Sequence, residues 1–192
     1  TGLLGFLIIR NQLFVADDAA ATLSNLVEHE TLARWGIVME VGIVFTQTLA
    51  ALWFFQLFRG VDSFAAASIT AFGLLNSVAI IGSAVMLATA LEVAGDASLA
   101  AGGDAAATVQ LMYVVSGHFW GVGALFFGLW LIPMGWLVLR SGWMPRLLGW
   151  ILMVGGVGYV LSVGVNYLLP DAGLLADLVT IPASIGEFWI LG

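Results

Sequence analysis

The stretch GHFWGVGALFFGLWLIPMGWLVLRSGWMPRLLGWILMVGGVGYV, residues 117–160, contains two long apolar runs separated by a short turn. The turn is RSGWMPR, residues 140–146. Gly142 is suited to end the first helix in the left-handed conformation, and Pro145 is suited to the first turn of the next helix. An apolar helix of about 20 residues crosses the hydrocarbon core of a bilayer. The stretch therefore predicts two membrane-spanning helices joined by a tight turn.

The composition of the whole chain supports the same class of protein. Of its 192 residues, 61% are hydrophobic and 9% are charged, whereas soluble domains carry about 25% charged residues. The charged residues are confined to short stretches between long apolar runs, as a bilayer requires. We expect an all-α fold, a polytopic membrane helix bundle, with residues 1–192 forming a single transmembrane domain.

The apolar runs predict about six transmembrane helices, at roughly 1–9, 33–58, 64–91, 107–139, 146–169 and 174–192. The first and last of these runs look truncated, because the chain starts without Met and ends inside an apolar run. We therefore expect the natural protein to be longer.

Residues 17–30 are too polar for a span and predict a short amphipathic helix on the outer side, with Asp17 or Asp18 as its N-cap. The string DAAAT occurs at 18–22 and again at 104–108. A capped, Ala-rich helix start explains both copies better than a duplicated unit does.

Arginine placement predicts the topology. Loops 59–63 and 140–146 contain Arg59, Arg140 and Arg146, whereas loops 92–106 and 170–173 contain no basic residue. The positive-inside rule then places loops 59–63 and 140–146 in the cytoplasm of a multi-pass protein of the cell (plasma) membrane. Arg10 and Arg34 fall on the opposite side, where most of the acidic residues also lie.

Several function classes are disfavoured by what the sequence lacks. It has no Cys and no Lys, and its net charge is −7. Nucleic acid is not an expected partner, because such proteins carry clustered basic residues. No zinc-binding or bis-histidine haem motif is present, so no metal site is expected, and the cofactor is unknown, with bound lipid or pigment as the open options.

Ionisable and amide side chains inside the predicted spans are the candidate binding residues, because they are costly in a membrane. This candidate polar set consists of Glu40, His118, Glu187, Asn76, Gln47 and Asn166. Glu40 and His118 are predicted at similar depth in the outer half of the bundle, and the set could converge on a polar cavity there. The alternative for each member is a hydrogen bond between helices, without a ligand.

Three outer-face residues, His29, Glu30 and Arg34, are further candidates. Their structural alternative is a solvated helix cap and an ion pair between Glu30 and Arg34 at i, i+4. Around His118, the small residues Gly117, Gly121, Ala124 and Gly128 form a stripe that lets another helix approach closely.

Three motifs together give the chain a family resemblance. DDAAAT (17–22) followed by HETLARWGI (29–37), the stretch 117–160 with its RSG-aromatic-x-PR turn, and GEFWILG (186–192) resemble a bacterial and archaeal membrane family called domain of unknown function 4386. The resemblance implies six or seven membrane helices and no assigned activity. The residues that match the family pattern are His29, Glu30, Arg34, Glu40, His118, Arg140, Pro145, Arg146 and Glu187.

Three functions stay open at this point. The favoured one is a non-catalytic accessory or structural subunit of a membrane complex, whose partners are the lipid bilayer and other membrane subunits. The alternative is a small-solute carrier or ligand-binding membrane protein with a polar cavity in its outer half. The third is an intramembrane enzyme, although no catalytic residue can be assigned.

Overall fold

The computed structural model describes residues 8–169 and residue 185, and these residues form helices and short connections without a strand. Two short helices come first, α1 (Arg10–Leu13) and α2 (Ala19–Glu28). Four long helices follow: α3 (Glu30–Phe58), α4 (Ser63–Gly95), α5 (Ala105–Ser141) and α6 (Arg146–Leu168). Two 3₁₀ turns, Ala97–Leu99 and Ala101–Gly103, connect α4 to α5.

The four long helices are each long and apolar enough to cross a membrane. They correspond to the four central predicted spans, and each begins or ends within four residues of the prediction. α5 has 37 residues, which is about 55 Å of helix and more than the ~30 Å hydrocarbon core requires. The predicted spans at 174–192 and, for the most part, 1–9 lie outside the described residues, so a total of six is not confirmed.

The helix starts predicted from the repeated DAAAT string are confirmed. The Asp18 carboxylate accepts a hydrogen bond from the Ala21 N–H at 2.9 Å, and Asp104 accepts one from Ala107 at 2.9 Å. Both aspartates therefore satisfy an N–H group that the first turn of a helix leaves free. The predicted amphipathic helix over 17–30 is slightly shorter in the structure, because α2 ends at Glu28 and His29 forms its C-cap.

The chain packs as two compact units. Unit 1 contains the described residues up to Thr46 together with Val78–Trp120, and unit 2 contains Gln47–Ser77 and the described residues from Gly121 onward. Helices α3, α4 and α5 each contribute residues to both units. The apolar core of unit 1 consists of Leu13, Leu26, Ala33, Ala90, Val93, Val109 and Tyr113. The core of unit 2 consists of Phe58, Ala65, Ala66, Ile69, Trp130, Leu131, Met134, Leu137, Val138, Leu148 and Leu152.

The α5–α6 turn in unit 2 follows the prediction closely. α5 ends at Ser141, and Gly142 has a φ of +74°, the left-handed conformation that favours glycine. Pro145 is the N-cap of α6 and not a residue of its first turn, and its carbonyl accepts the Leu148 N–H at 3.1 Å. The turn thus reverses the chain in a few residues.

Glycines bring α5 and α6 into backbone contact. A Cβ on Gly128 would lie 2.6 Å from the carbonyl oxygen of Gly156, and a Cβ on Gly135 would lie 2.5 Å from that of Gly149. The two pairs are seven residues apart on both helices, a spacing typical of left-handed antiparallel helix packing. The predicted small-residue stripe is therefore correct at Gly128, whereas a Cβ on Gly121 would have no neighbour within 4 Å among the described residues.

Candidate functional site

Glu40 is the most deeply buried ionisable side chain of the candidate polar set within the described residues. It lies on α3 on the same face as Ala33 and Gly36, at the i, i+3, i+7 spacing of a packed helical face. Its exposed fraction is 2%. At ten residues from the start of α3, it is about 15 Å along the helix. A carboxyl at this depth needs hydrogen-bond partners from other helices.

Two neighbouring helices supply donors to one oxygen of Glu40. The Ser83 hydroxyl on α4 donates to Glu40 Oε1 at 3.1 Å, and the Trp120 indole N–H on α5 donates to the same oxygen at 3.0 Å. The indole N–H also lies 3.1 Å from Ser83 Oγ. Glu40 therefore joins α3, α4 and α5 through a single carboxylate oxygen.

Arg10 enters the same network from the N-terminal segment. Its Nη1 donates to Ser116 Oγ at 2.9 Å, and its Nη2 donates to the carbonyl oxygen of Tyr113. The guanidinium carbon lies 5.2 Å and 5.5 Å from the ring centroids of Phe14 and Tyr113, within cation–π distance. A Cβ on Gly117 would lie 3.1 Å from Arg10 Nη2, so glycine at this position leaves room for the guanidinium.

The two serines connect Arg10 to Glu40. Ser83 Oγ and Ser116 Oγ are 2.8 Å apart, and both are buried. Because arginine can only donate, the Ser116 hydroxyl accepts from Arg10 and is free to donate to Ser83, which donates to Glu40. Aligned hydrogen bonds of this kind polarise one another and gain strength in a low dielectric. We call Arg10, Glu40, Ser83, Ser116 and Trp120 the polar cluster.

A small cavity adjoins the polar cluster. Its volume is about 20 Å³, and it is lined by Ile9, Arg10, Leu13, Ala33, Gly36, Glu40, Leu87 and Tyr113. The second carboxylate oxygen of Glu40, Oε2, is buried and has no hydrogen-bond partner in the part of the chain that the structure describes. A cavity of this size holds about one water molecule. The polar cluster can therefore accept one further small hydrogen-bond donor at Glu40.

The other predicted binding residues have different environments. His118 is exposed on α5. In unit 2, the Gln47 amide donates to the Gly73 carbonyl at 3.2 Å, a bond between α3 and α4. Asn76 is buried, with 6% exposed, and Asn166 is exposed on α6.

Glu187 lies outside the described residues. The convergence of Glu40, His118 and Glu187 on one cavity therefore stays a prediction.

The three candidates predicted for the outer face, His29, Glu30 and Arg34, are exposed. Arg34 donates to Glu30 Oε1 through two nitrogens, and both side chains are more than half exposed. An exposed i, i+4 pair of this kind contributes about 0.3–0.5 kcal/mol. His29 is exposed and forms the C-cap of α2. Of the residues described, no three His, Asp or Glu side chains are grouped so that they could hold a metal ion.

Sequence reasoning found Glu40 but missed the rest of the polar cluster. Arg10 enters the sequence analysis only through the topology, although an arginine between the apolar residues of FLIIRNQLF is itself a signal of a partly buried cation. Ser83, Ser116 and Trp120 carry no such signal, because serine and tryptophan are common in membrane helices. Their roles depend on the contacts between helices.

The fold and the polar cluster define the class of protein. Four apolar helices of membrane-spanning length, with a buried glutamate on α3 that is hydrogen-bonded to α4 and α5, characterise a polytopic integral membrane protein. The family model described as Domain of unknown function (DUF4386) matches residues 1–192, and the chain belongs to this family. Comparison with curated proteins and with solved structures gives no match.

Proposed function

We propose that the protein is a non-catalytic accessory or structural subunit of a membrane complex, and that α3 is the helix that contacts a partner. The observation that carries this proposal is an open glycine on α3. A Cβ on Gly42 would have nothing within 4 Å, so packing of the described residues gives no reason for glycine at this position. Glycine costs about 1 kcal/mol relative to alanine inside a helix. Contact with a second protein's helix explains that cost.

The surroundings of Gly42 fit such a contact. Thr46 lies one turn further on, is exposed, and bonds its hydroxyl back to the Gly42 carbonyl at 2.9 Å. Small residues four apart are enriched where membrane helices meet. α3 is also the least buried long helix, with 17% of its most apolar segment buried against 33–44% in the other three. The remaining apolar faces contact the lipid bilayer.

Gly42→Leu is expected to abolish partner contact without unfolding the protein. A Cβ at this position meets none of the described residues, whereas a leucine side chain blocks the close approach of a second helix. The measurement is affinity purification of the tagged protein from native membranes in a mild detergent, followed by native electrophoresis and mass spectrometry. Val41→Leu is the matched control, because Val41 is already large and is 55% exposed.

We expect a co-purifying membrane protein with the wild type and with Val41→Leu, and its loss with Gly42→Leu. A stable wild-type monomer without a co-purifying chain contradicts the proposal. Equal retention of the partner by Gly42→Leu contradicts the assignment to α3.

We also propose that the protein lies in the plasma membrane with loops 59–63 and 140–146 in the cytoplasm. The support is the positive charge of these loops, while the α4–α5 connection contains Asp96 and Asp104 and no basic residue. Hydrogen bonds from Ser98 hold the pKa of Asp96 below its usual value, so this connection carries negative charge at neutral pH.

The absence of cysteine from the chain makes the topology directly measurable. Ser98→Cys is expected to react with a membrane-impermeant maleimide on intact cells, because it is exposed in the α4–α5 connection. Gly60→Cys is expected to react only after the membrane is permeabilised. The cysteine-free parent chain is the control for labelling background, and the reverse pattern contradicts the proposed orientation.

A second candidate function, a small-solute carrier or ligand-binding protein, is supported by the unpartnered Glu40 Oε2 beside the cavity. With about 20 Å³ available, the bound species is no larger than a water molecule unless the helices move. The intramembrane-enzyme hypothesis has no comparable support among the residues described, and it stays a prediction.

A further inference from the structure

One end of unit 2 is formed by two turns that are held together. The α3–α4 turn contains residues 59–62, and the α5–α6 turn contains residues 142–145. The rings of Phe58 and Trp143 stack with their centroids 5.6 Å apart and their planes at 15°. Arg140 Nη1 lies 3.6 Å from Asp62 Oδ2. These two contacts make the pair of turns one continuous surface, which we call the arginine end.

The arginine end has an excess of positive charge. It carries Arg59, Arg140 and Arg146 and one acidic residue, Asp62. The Asp62 carboxylate accepts hydrogen bonds from the N–H groups of Ala65 and Phe64 at 3.1 Å, and these bonds, the one from Ala65 most of all, hold its pKa below the usual value. Asp62 is therefore ionised at neutral pH, and the four groups sum to a net charge of about +2.

Two of the three arginines are available to a ligand. Arg140 is occupied, because it pairs with Asp62 and its guanidinium carbon lies 4.9 Å from the ring centroid of Trp136. Arg59 and Arg146 are exposed, and neither has an ion pair or a hydrogen bond to another side chain within the described part of the chain. Each guanidinium presents five N–H donors in a planar arrangement that matches a phosphate group.

The apolar surroundings locate these arginines at the edge of the hydrocarbon core. Large exposed apolar side chains flank both turns: Leu57 is 45% exposed, Phe64 84%, Trp143 56% and Leu147 59%. Exposed tryptophans at the ends of membrane helices mark the level of the lipid headgroups. Arginines at this level meet lipid phosphates, while the apolar side chains meet the acyl chains of the same lipids.

We propose that the arginine end is a binding site for an anionic phospholipid, in which Arg59 and Arg146 contact the headgroup and the exposed aromatic residues contact the acyl chains. Charge complementarity selects this occupant. A zwitterionic lipid offers the same phosphate but adds a cation that two arginines repel. The site is independent of the proposed partner contact at Gly42 and of the polar cluster.

The test is lipid binding by the purified full chain, measured with native mass spectrometry and with thermal unfolding in detergent. The probes are phosphatidylglycerol, phosphatidylcholine and inorganic phosphate. We expect phosphatidylglycerol to bind and to raise the unfolding temperature, with an effect that decreases at high salt. Each arginine near an anionic lipid is worth about 1 kcal/mol, so Arg59→Gln/Arg146→Gln is expected to lower the affinity about 30-fold.

Two control variants distinguish lipid binding at this site from nonspecific electrostatic binding and from loss of the fold. Arg34→Gln removes an exposed arginine outside the site and is expected to leave lipid binding unchanged. Arg59→Lys/Arg146→Lys keeps the charge and is expected to retain most of the affinity, which shows that the positions tolerate substitution. The proposal is overturned if the double Gln variant binds phosphatidylglycerol like the wild type, if phosphatidylcholine binds equally well, or if inorganic phosphate alone reproduces the stabilisation.

Discussion

Gly135→Ala is expected to lower the free energy of unfolding by about 1–3 kcal/mol, the usual cost of overpacking a close contact. The added Cβ would lie 2.5 Å from the Gly149 carbonyl oxygen and 2.9 Å from the Met153 nitrogen. Both atoms belong to the backbone of α6, so no side-chain rotation relieves the contact and the two helices must separate. The measurement is unfolding in mixed micelles, followed by far-UV circular dichroism.

Gly121→Ala is the matched control in the same helix. A Cβ at Gly121 would meet none of the residues that the structure describes within 4 Å, and alanine is the better helix former by up to about 1 kcal/mol. The same substitution is therefore expected to change stability in opposite directions at positions 135 and 121. Equal changes at both positions would show that helix propensity, and not contact with α6, determines the effect.

Glu40→Ala is expected to destabilise the protein by about 3–5 kcal/mol. Removing the carboxylate leaves the remaining charge and the hydrogen-bond donors of the network without their partner. Ser83 and Trp120 lose their common acceptor, and Arg10 loses the acidic end of its chain of hydrogen bonds. Glu40→Gln keeps an oxygen that can accept both bonds, and we expect a smaller loss, below about 2 kcal/mol. The measurement is again unfolding in mixed micelles.

Glu30→Ala is the control for removing a carboxylate from α3. Its exposed pair with Arg34 contributes little, so the expected change is within about 0.5 kcal/mol. A Glu40→Ala variant as stable as Glu30→Ala would contradict a structural role for the polar cluster.

Glu40→Gln also distinguishes the two candidate functions. A subunit should keep its partner, whereas a carrier that uses this carboxylate should lose ligand binding while staying folded.

The parts of the fold that the sequence predicts are those set by local chemistry. Asp18 and Asp104 cap helices because a short acidic side chain satisfies free N–H groups within three residues. Gly142 ends α5 because the left-handed conformation is available to glycine without strain. The four central spans follow from apolar length alone.

The candidate site was only partly predictable, because it depends on contacts between distant segments. Arg10 and Ser116 are separated by 106 residues and meet only when α1 and α5 pack together. Glu40 is buried and His118 is exposed because of the way in which α3 and α5 are rotated about their own axes. Hydropathy does not fix that rotation here, because these helices are apolar on nearly every side. The position of a residue along its helix could thus be predicted from the sequence, whereas the direction in which its side chain points could not.

The reciprocal glycine pairs of α5 and α6 also determine what kind of force holds the two helices together. Where another residue has its Cβ, glycine has a hydrogen, and at Gly128 and Gly156 that hydrogen points at the carbonyl oxygen of the opposite glycine. Each pair thereby forms two weak Cα–H···O hydrogen bonds, which are worth about 0.5–1 kcal/mol each. Helices α5 and α6 are consequently held together by contacts between main-chain atoms. Such contacts matter in a bilayer, because apolar side chains gain little free energy there by moving from lipid into a contact between helices.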